Sequence, residues 1–125
     1  MAEKLKILVV EDDPANLIVS VKSLERMNVE VLSAMDAFEA LDVYDNTANL
    51  SAVLTDIQLP GMDGTEMMHK MREREEVTRI SIPIFAMTAY ALDEDKKYFK
   101  NIGFDDVFIK PIDYGEILKT IQFYL

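Results

Sequence analysis

Five times along this sequence a short apolar run breaks into a polar turn and then into a stripe of apolar residues at helical spacing. Few folds accommodate that alternation. The apolar runs are Lys6–Val10, Val29–Ala34, Ala52–Thr55, Ile82–Met87 and Val107–Ile109. Between them lie stripes such as Leu17, Val21 and Leu24, or Ala37, Ala40, Leu41 and Tyr44. Met67, Met68 and Met71 mark a third helix, and a charged stretch, Arg72–Arg79, reads as solvated. Leu92, Phe99 and Ile102 line a fourth, with Gly103 as its C-cap, and Ile117, Leu118, Ile121 and Leu125 line a fifth. Asp13 before Pro14, and Asp36 before Ala37, are natural N-caps, and Asn28 is a natural stop. Pro83 lies near the start of its run, where a strand tolerates proline.

Strands that alternate with helices imply right-handed crossovers and a parallel sheet covered on both faces. Apolar runs without strict polar alternation agree with such burial. This is an α/β, doubly wound chain, and ligands of such sheets bind beyond the carboxyl ends of the strands. That edge gathers the polar residues of interest. Asp12 and Asp13 follow the first strand, Asp56 ends the third, Thr88 follows the fourth and Lys110 ends the fifth.

Three carboxylates converging on one pocket repel one another and must protonate or hold a cation. Oxygen donors without Cys or His point to a hard ion, and Mg²⁺ is the natural candidate. Mg²⁺ favours one or two carboxylates together with phosphate oxygens, so the pocket suits a phosphoryl group. Asp56 is then a candidate nucleophile, with the Lys110 ammonium and the Thr88 hydroxyl as partners for the phosphoryl oxygens. Taken singly these residues are caps, turn formers or surface groups. Their placement at four strand ends is what makes them a set. His69 beside Met67, Met68 and Met71 reads as partly exposed and without a chemical role, and the Met residues as packing.

Composition narrows the class further. Half of the 125 residues are apolar, which suits one domain with a real core, residues 1–125. The net charge of −10 argues against direct nucleic-acid binding. No Cys is present, so disulfides and thiolate metal sites are excluded. The opening MAEKLKILVV is too short an apolar segment for a signal peptide or a membrane span, and the chain reads as cytoplasmic.

The segments ILVVEDD, LTDIQLPGMDG, MTAYA and GFDDVFIKPI, in that order, closely resemble the receiver domains of two-component response regulators. The resemblance covers essentially the whole chain. It implies a flavodoxin-like (βα)5 fold with strand order 2-1-3-4-5. It also implies that Asp56 accepts a phosphoryl group from a histidine kinase or a histidine phosphotransfer protein. Asp12 and Asp13 correspond to the family's acidic pair, and with Asp56 and the Gln58 backbone carbonyl they would hold Mg²⁺. Thr88 and Lys110 match the hydroxyl and the lysine that engage the phosphoryl group. The resemblance further makes Lys110–Pro111 a cis bond, and places Gln58 and Tyr90 at the border of the phosphoryl group.

One position departs from the family pattern. Where an aromatic ring usually stands three residues before the lysine, this chain has Val107, and alternation directs the neighbouring Phe108 to the opposite face. A haloacid-dehalogenase-type phosphatase would want an acid where Gln58 stands, and a flavodoxin a hydroxyl- and Gly-rich loop where Glu11, Asp12 and Asp13 stand. The remaining alternative is a receiver-like adaptor that binds a partner without being phosphorylated. Every residue is absorbed by the receiver fold, so the reading is a phosphorylation switch or relay, either free-standing, which the start at Met1 favours, or cut from a hybrid kinase.

Overall fold

The computed structural model describes residues 4–89 and 92–125. Its elements are β1 (Lys6–Val10), α1 (Pro14–Glu25), β2 (Glu30–Ala34), α2 (Ala37–Asn46), β3 (Ala52–Asp56), α3 (Gly64–Thr78), β4 (Ile84–Thr88), α4 (Asp93–Ile102), β5 (Asp106–Ile109) and α5 (Tyr114–Ile121). A short 3₁₀ turn, Gln122–Tyr124, follows α5. The five strands form one parallel sheet in the order β2-β1-β3-β4-β5, the flavodoxin-like order expected.

Successive side chains of each strand point to opposite faces, so each strand feeds two cores. Ile7, Val9, Leu54, Phe85, Met87 and Phe108 pack on one side with Leu24 of α1 and with Ile117 and Ile121 of α5. Leu8, Val10, Val53, Ile84, Ala86 and Val107 pack on the other with α2, α3 and α4. Met67, Met68 and Met71 are fully buried there, as packing residues should be. Burying each such side chain stabilises the fold by about 1.5–3 kcal/mol. Val107 and Phe108 do face opposite ways, and Phe108 meets Phe85 edge-on.

Caps set the helix starts. Asp13 Oδ1 accepts from the backbone N–H of Ala15 and Asn16 at 2.9 and 3.3 Å, and Asp36 Oδ1 accepts from Glu39 N–H at 2.8 Å. Asp63 and Asp113 cap α3 and α5 in the same way. Each such cap contributes about 1 kcal/mol. Helix α4 differs: Leu92 stands at its N-cap without a side-chain bond, while Gly103 closes its C-terminus.

Two expectations at helix ends are corrected. Leu92 does not line α4 but lies at its end, 64% exposed, because α4 begins only at Asp93. Leu125 is likewise exposed, because α5 stops at Ile121 and a 3₁₀ turn rotates the remaining residues off the core stripe. Arg72–Arg79 is largely exposed, as expected of a charged stretch, and most of it forms the C-terminal half of α3. Arg72 there donates to Glu75, to Asp105 and to the carbonyls of Ile82 and Gly103, which ties α3 to the loop before β5. His69, read as having no role, bonds through Nε2 to the Ile102 carbonyl oxygen at 2.8 Å, at the end of α4.

Candidate functional site

Because all strands are parallel, their carboxyl ends share one edge, and the polar residues that follow them face a common cavity of about 470 Å³. Its walls include Glu11, Asp12, Asp56, Gln58, Thr88 and Lys110. Asp56 is the last residue of β3, opposite Met87 of β4, and is 6% exposed. Beyond it the chain turns sharply. A Cβ at Gly64 would run into the Asp56 carbonyl oxygen, and Gly64 N–H donates to Ile57 O at 2.7 Å, so only glycine lets α3 begin this close to the site.

Lys110 is fixed from its backbone outward. Its N–H donates to Thr88 O at 2.8 Å, which extends the β4–β5 pairing past the end of β5. From there its Nζ reaches Asp56 Oδ1 at 2.6 Å and Glu11 Oε2 at 3.2 Å. The Lys110–Pro111 bond is cis. Thr88 ends β4 and is 5% exposed.

The three consecutive acids after β1 take three different positions. Glu11 N–H donates to Ala34 O at 3.1 Å and so keeps the sheet register, which turns its side chain into the cavity, 3% exposed. Asp12 is exposed on the cavity wall. Asp13 borders the cavity, but its carboxylate is the cap of α1. Carboxylate oxygens of Glu11, Asp12 and Asp56 lie within 4.8 Å of one another. The residue that sequence reasoning missed is therefore Glu11. Its signal was available: it directly follows the buried run, whereas Asp13 directly precedes Pro14.

The electrostatics follow from burial. Desolvation, reinforced by the adjacent Glu11, pushes the Asp56 carboxyl up from the ordinary 3.8 to about 7, against the pull of Lys110. Desolvation also disfavours the Lys110 charge, but two carboxylates outweigh it and hold its ammonium above the usual value. One ammonium facing two buried carboxylates is strongly held and still leaves the pair of acids short of positive charge. That deficit, in a set of hard oxygen donors, fits a divalent cation. Gln58 is exposed on the same wall, and Tyr90 lies outside the described residues.

Comparison with known proteins agrees with this geometry. The sequence profile of the response regulator receiver domain matches residues 7–122. The sensor protein GacS of Pseudomonas syringae is 34% identical over 93% of this chain, which spans only 13% of that protein. An uncharacterised 14.6 kDa protein of Leptolyngbya boryana is 33% identical over 97% of this chain and 90% of its own length. Among solved structures, the receiver domain of a Pseudomonas aeruginosa sensor histidine kinase is 30% identical with a TM-score of 0.81 and covers 96% of each chain. That neighbour has a magnesium ion coordinated in its active-site cleft.

Proposed function

The chain belongs to the response regulator receiver domain family, and on that premise we propose that Asp56 is its phosphoacceptor, in one receiver domain spanning residues 1–125. The observation that carries this reading is a buried carboxylate at a strand end, open to a cavity and held by Lys110 at 2.6 Å. An Asp56 carboxylate oxygen attacks the phosphorus of a phosphohistidine, the P–N bond breaks, and the imidazole leaves. The donor is a histidine kinase or a histidine phosphotransfer protein, in keeping with the sensor-kinase relatives. Lys110, already in place, transfers part of its contact from Asp56 to the new phosphoryl oxygens, and Thr88 offers its hydroxyl from the neighbouring strand end.

Asp12 and Asp56, with Glu11 beside them and the Gln58 carbonyl on the same wall, would hold Mg²⁺, while Asp13 serves as the α1 cap. When bound, the ion supplies positive charge to the crowded carboxylates and to the phosphoryl oxygens. Among the described residues no helix is long and apolar enough to cross a membrane, and we place the chain in the cytoplasm, where such donors present their phosphohistidine.

Acetyl phosphate with Mg²⁺ tests the reading directly. Intact mass should rise by one labile phosphoryl group in the wild type and not in Asp56→Asn. A wild type that never gains the group, under conditions where Mg²⁺ binds, would leave only the adaptor role.

A further inference from the structure

Charge is very unevenly distributed along this chain. Between Arg26 and Lys70 the sequence has eight Asp and Glu residues and neither Lys nor Arg. Three of the eight are compensated from elsewhere in the fold: Glu30 by Lys6, Asp45 by Arg74 and Asp56 by Lys110. The other five, Asp36, Glu39, Asp42, Asp63 and Glu66, form no ion pair among the described residues. Four of them lie at the starts of α2 and α3, with Asp36 and Asp63 as the caps, and Asp42 lies one turn further along α2.

Apolar surface lies among them. Phe38 is 62% exposed and Met35 is 38% exposed. Phe38 and Asp42 are one helical turn apart on the outer side of α2, opposite the buried Ala37, Ala40 and Leu41. The Phe38 ring also covers the loop that follows the phosphoacceptor: its Cε2 lies 3.4 Å from where a Gly61 Cβ would stand, and Gly61 has φ +76°. Phe38 and Gly61 are therefore neighbours on the exposed surface, with the exposed Pro60 next to Gly61 in the chain. An isolated exposed Phe would carry no meaning. An exposed Phe laid beside a loop, between two helix starts whose carboxylates have no Lys or Arg partner among the described residues, has both an anchor and a rim.

We infer that the α2 start and the β3–α3 loop form a docking surface for a protein partner that presents a cationic amphipathic helix. An apolar side chain of that helix would rest on Phe38 and Pro60, and its Lys or Arg residues would face Glu39, Asp42 and Glu66. The charge complementarity is what selects this partner: a neutral or acidic helix would leave Glu39, Asp42 and Glu66 facing apolar or like-charged surface. This surface lies on the fold itself and does not depend on the phosphoryl chemistry proposed above.

The test uses the full chain in saturating Mg²⁺, which neutralises the acidic cavity as a competing site. The probe is a synthetic helical peptide of Lys and Leu at amphipathic spacing, followed by amide chemical shifts. Shifts centred on residues 35–42 and 60–66, with Kd raised at least fivefold in Phe38→Ser and unchanged in Val77→Ser, are expected. Val77, 84% exposed on α3, is the matched control for general stickiness. Asp42→Asn with Glu66→Gln should weaken binding further and flatten its salt dependence. Shifts centred on Asp93–Asp95 instead, or equal affinity in folded Phe38→Ser, would overturn the proposal. Loss of acetyl phosphate reactivity would not bear on it, so the two readings fail separately.

Discussion

Lys110 Nζ stands 2.6 Å from Asp56 Oδ1, and the same ammonium is 3.2 Å from Glu11 Oε2. One cation thus bridges two buried carboxylates, one ending β3 and one just beyond β1. Burial, reinforced by the neighbouring Glu11, keeps Asp56 reluctant to ionise although a lysine touches it.

This arrangement reverses the usual pH dependence of a carboxylate. Asp56 titrates at about 7 in the fold, against 3.8 ordinarily, so between those values the folded chain holds a proton that the unfolded chain releases. Its contribution to stability is present below about pH 4 and is lost as pH rises toward 7. The melting temperature of the metal-free protein relative to Asp56→Asn should therefore fall across that window. A difference that is flat or rises would show that Lys110 keeps Asp56 ionised throughout.

Glu11 and Asp13 should separate cleanly. Glu11→Gln removes the neighbouring charge, so it should hold or raise metal-free stability while weakening Mg²⁺ binding about tenfold, or ~1.4 kcal/mol. Asp13→Ala should cost about 1 kcal/mol through the lost cap and leave Mg²⁺ affinity nearly unchanged, and Asp13→Asn should be almost neutral. Calorimetric Mg²⁺ titration and thermal melts decide this. A large affinity loss in Asp13→Asn would return Asp13 to the ligand set.

Ile18 is 55% exposed on α1, beside the similarly exposed Val19, and so is not a core residue. Ile18→Asp should fold normally, accept phosphate from acetyl phosphate at the wild-type rate and accept it more slowly from a protein phosphohistidine donor. Equal rates from both sources would remove α1 from the donor contact.

Val107 is 4% exposed and packs with Ala86 and Phe99 beneath α4, where a valine has no alternative exposed position of comparable reach. The gain from any movement is a few methyl contacts, about 1 kcal/mol or less. Beryllofluoride with Mg²⁺ should therefore shift amides at Asp12, Asp13, Asp56–Leu59, Gly61 and Thr88, with the effect fading toward Tyr114. Shifts at Val107 and Tyr114 as large as those at Asp56 would mean that the distal face switches without an aromatic ring.

Local patterns in the sequence were sufficient for the sheet, its flanking helices, the Asp13 and Asp36 caps, and the arrival of Asp56, Thr88 and Lys110 at one edge. These depend on periodicity and on short-range bonds, which adjacent residues decide between themselves. Where Leu92 and Leu125 fall was not legible, because a helix end depends on which neighbours remain within reach of the core. The choice among Glu11, Asp12 and Asp13 was legible in part, since Glu11 directly follows the buried run and Asp13 directly precedes Pro14. Which of the three carboxylates enters the cavity is decided when Ala34 holds the Glu11 backbone in register and α1 claims Asp13 as its cap. Lys110, brought from the far end of the chain, then gives the Glu11 carboxylate a partner that makes its burial tolerable.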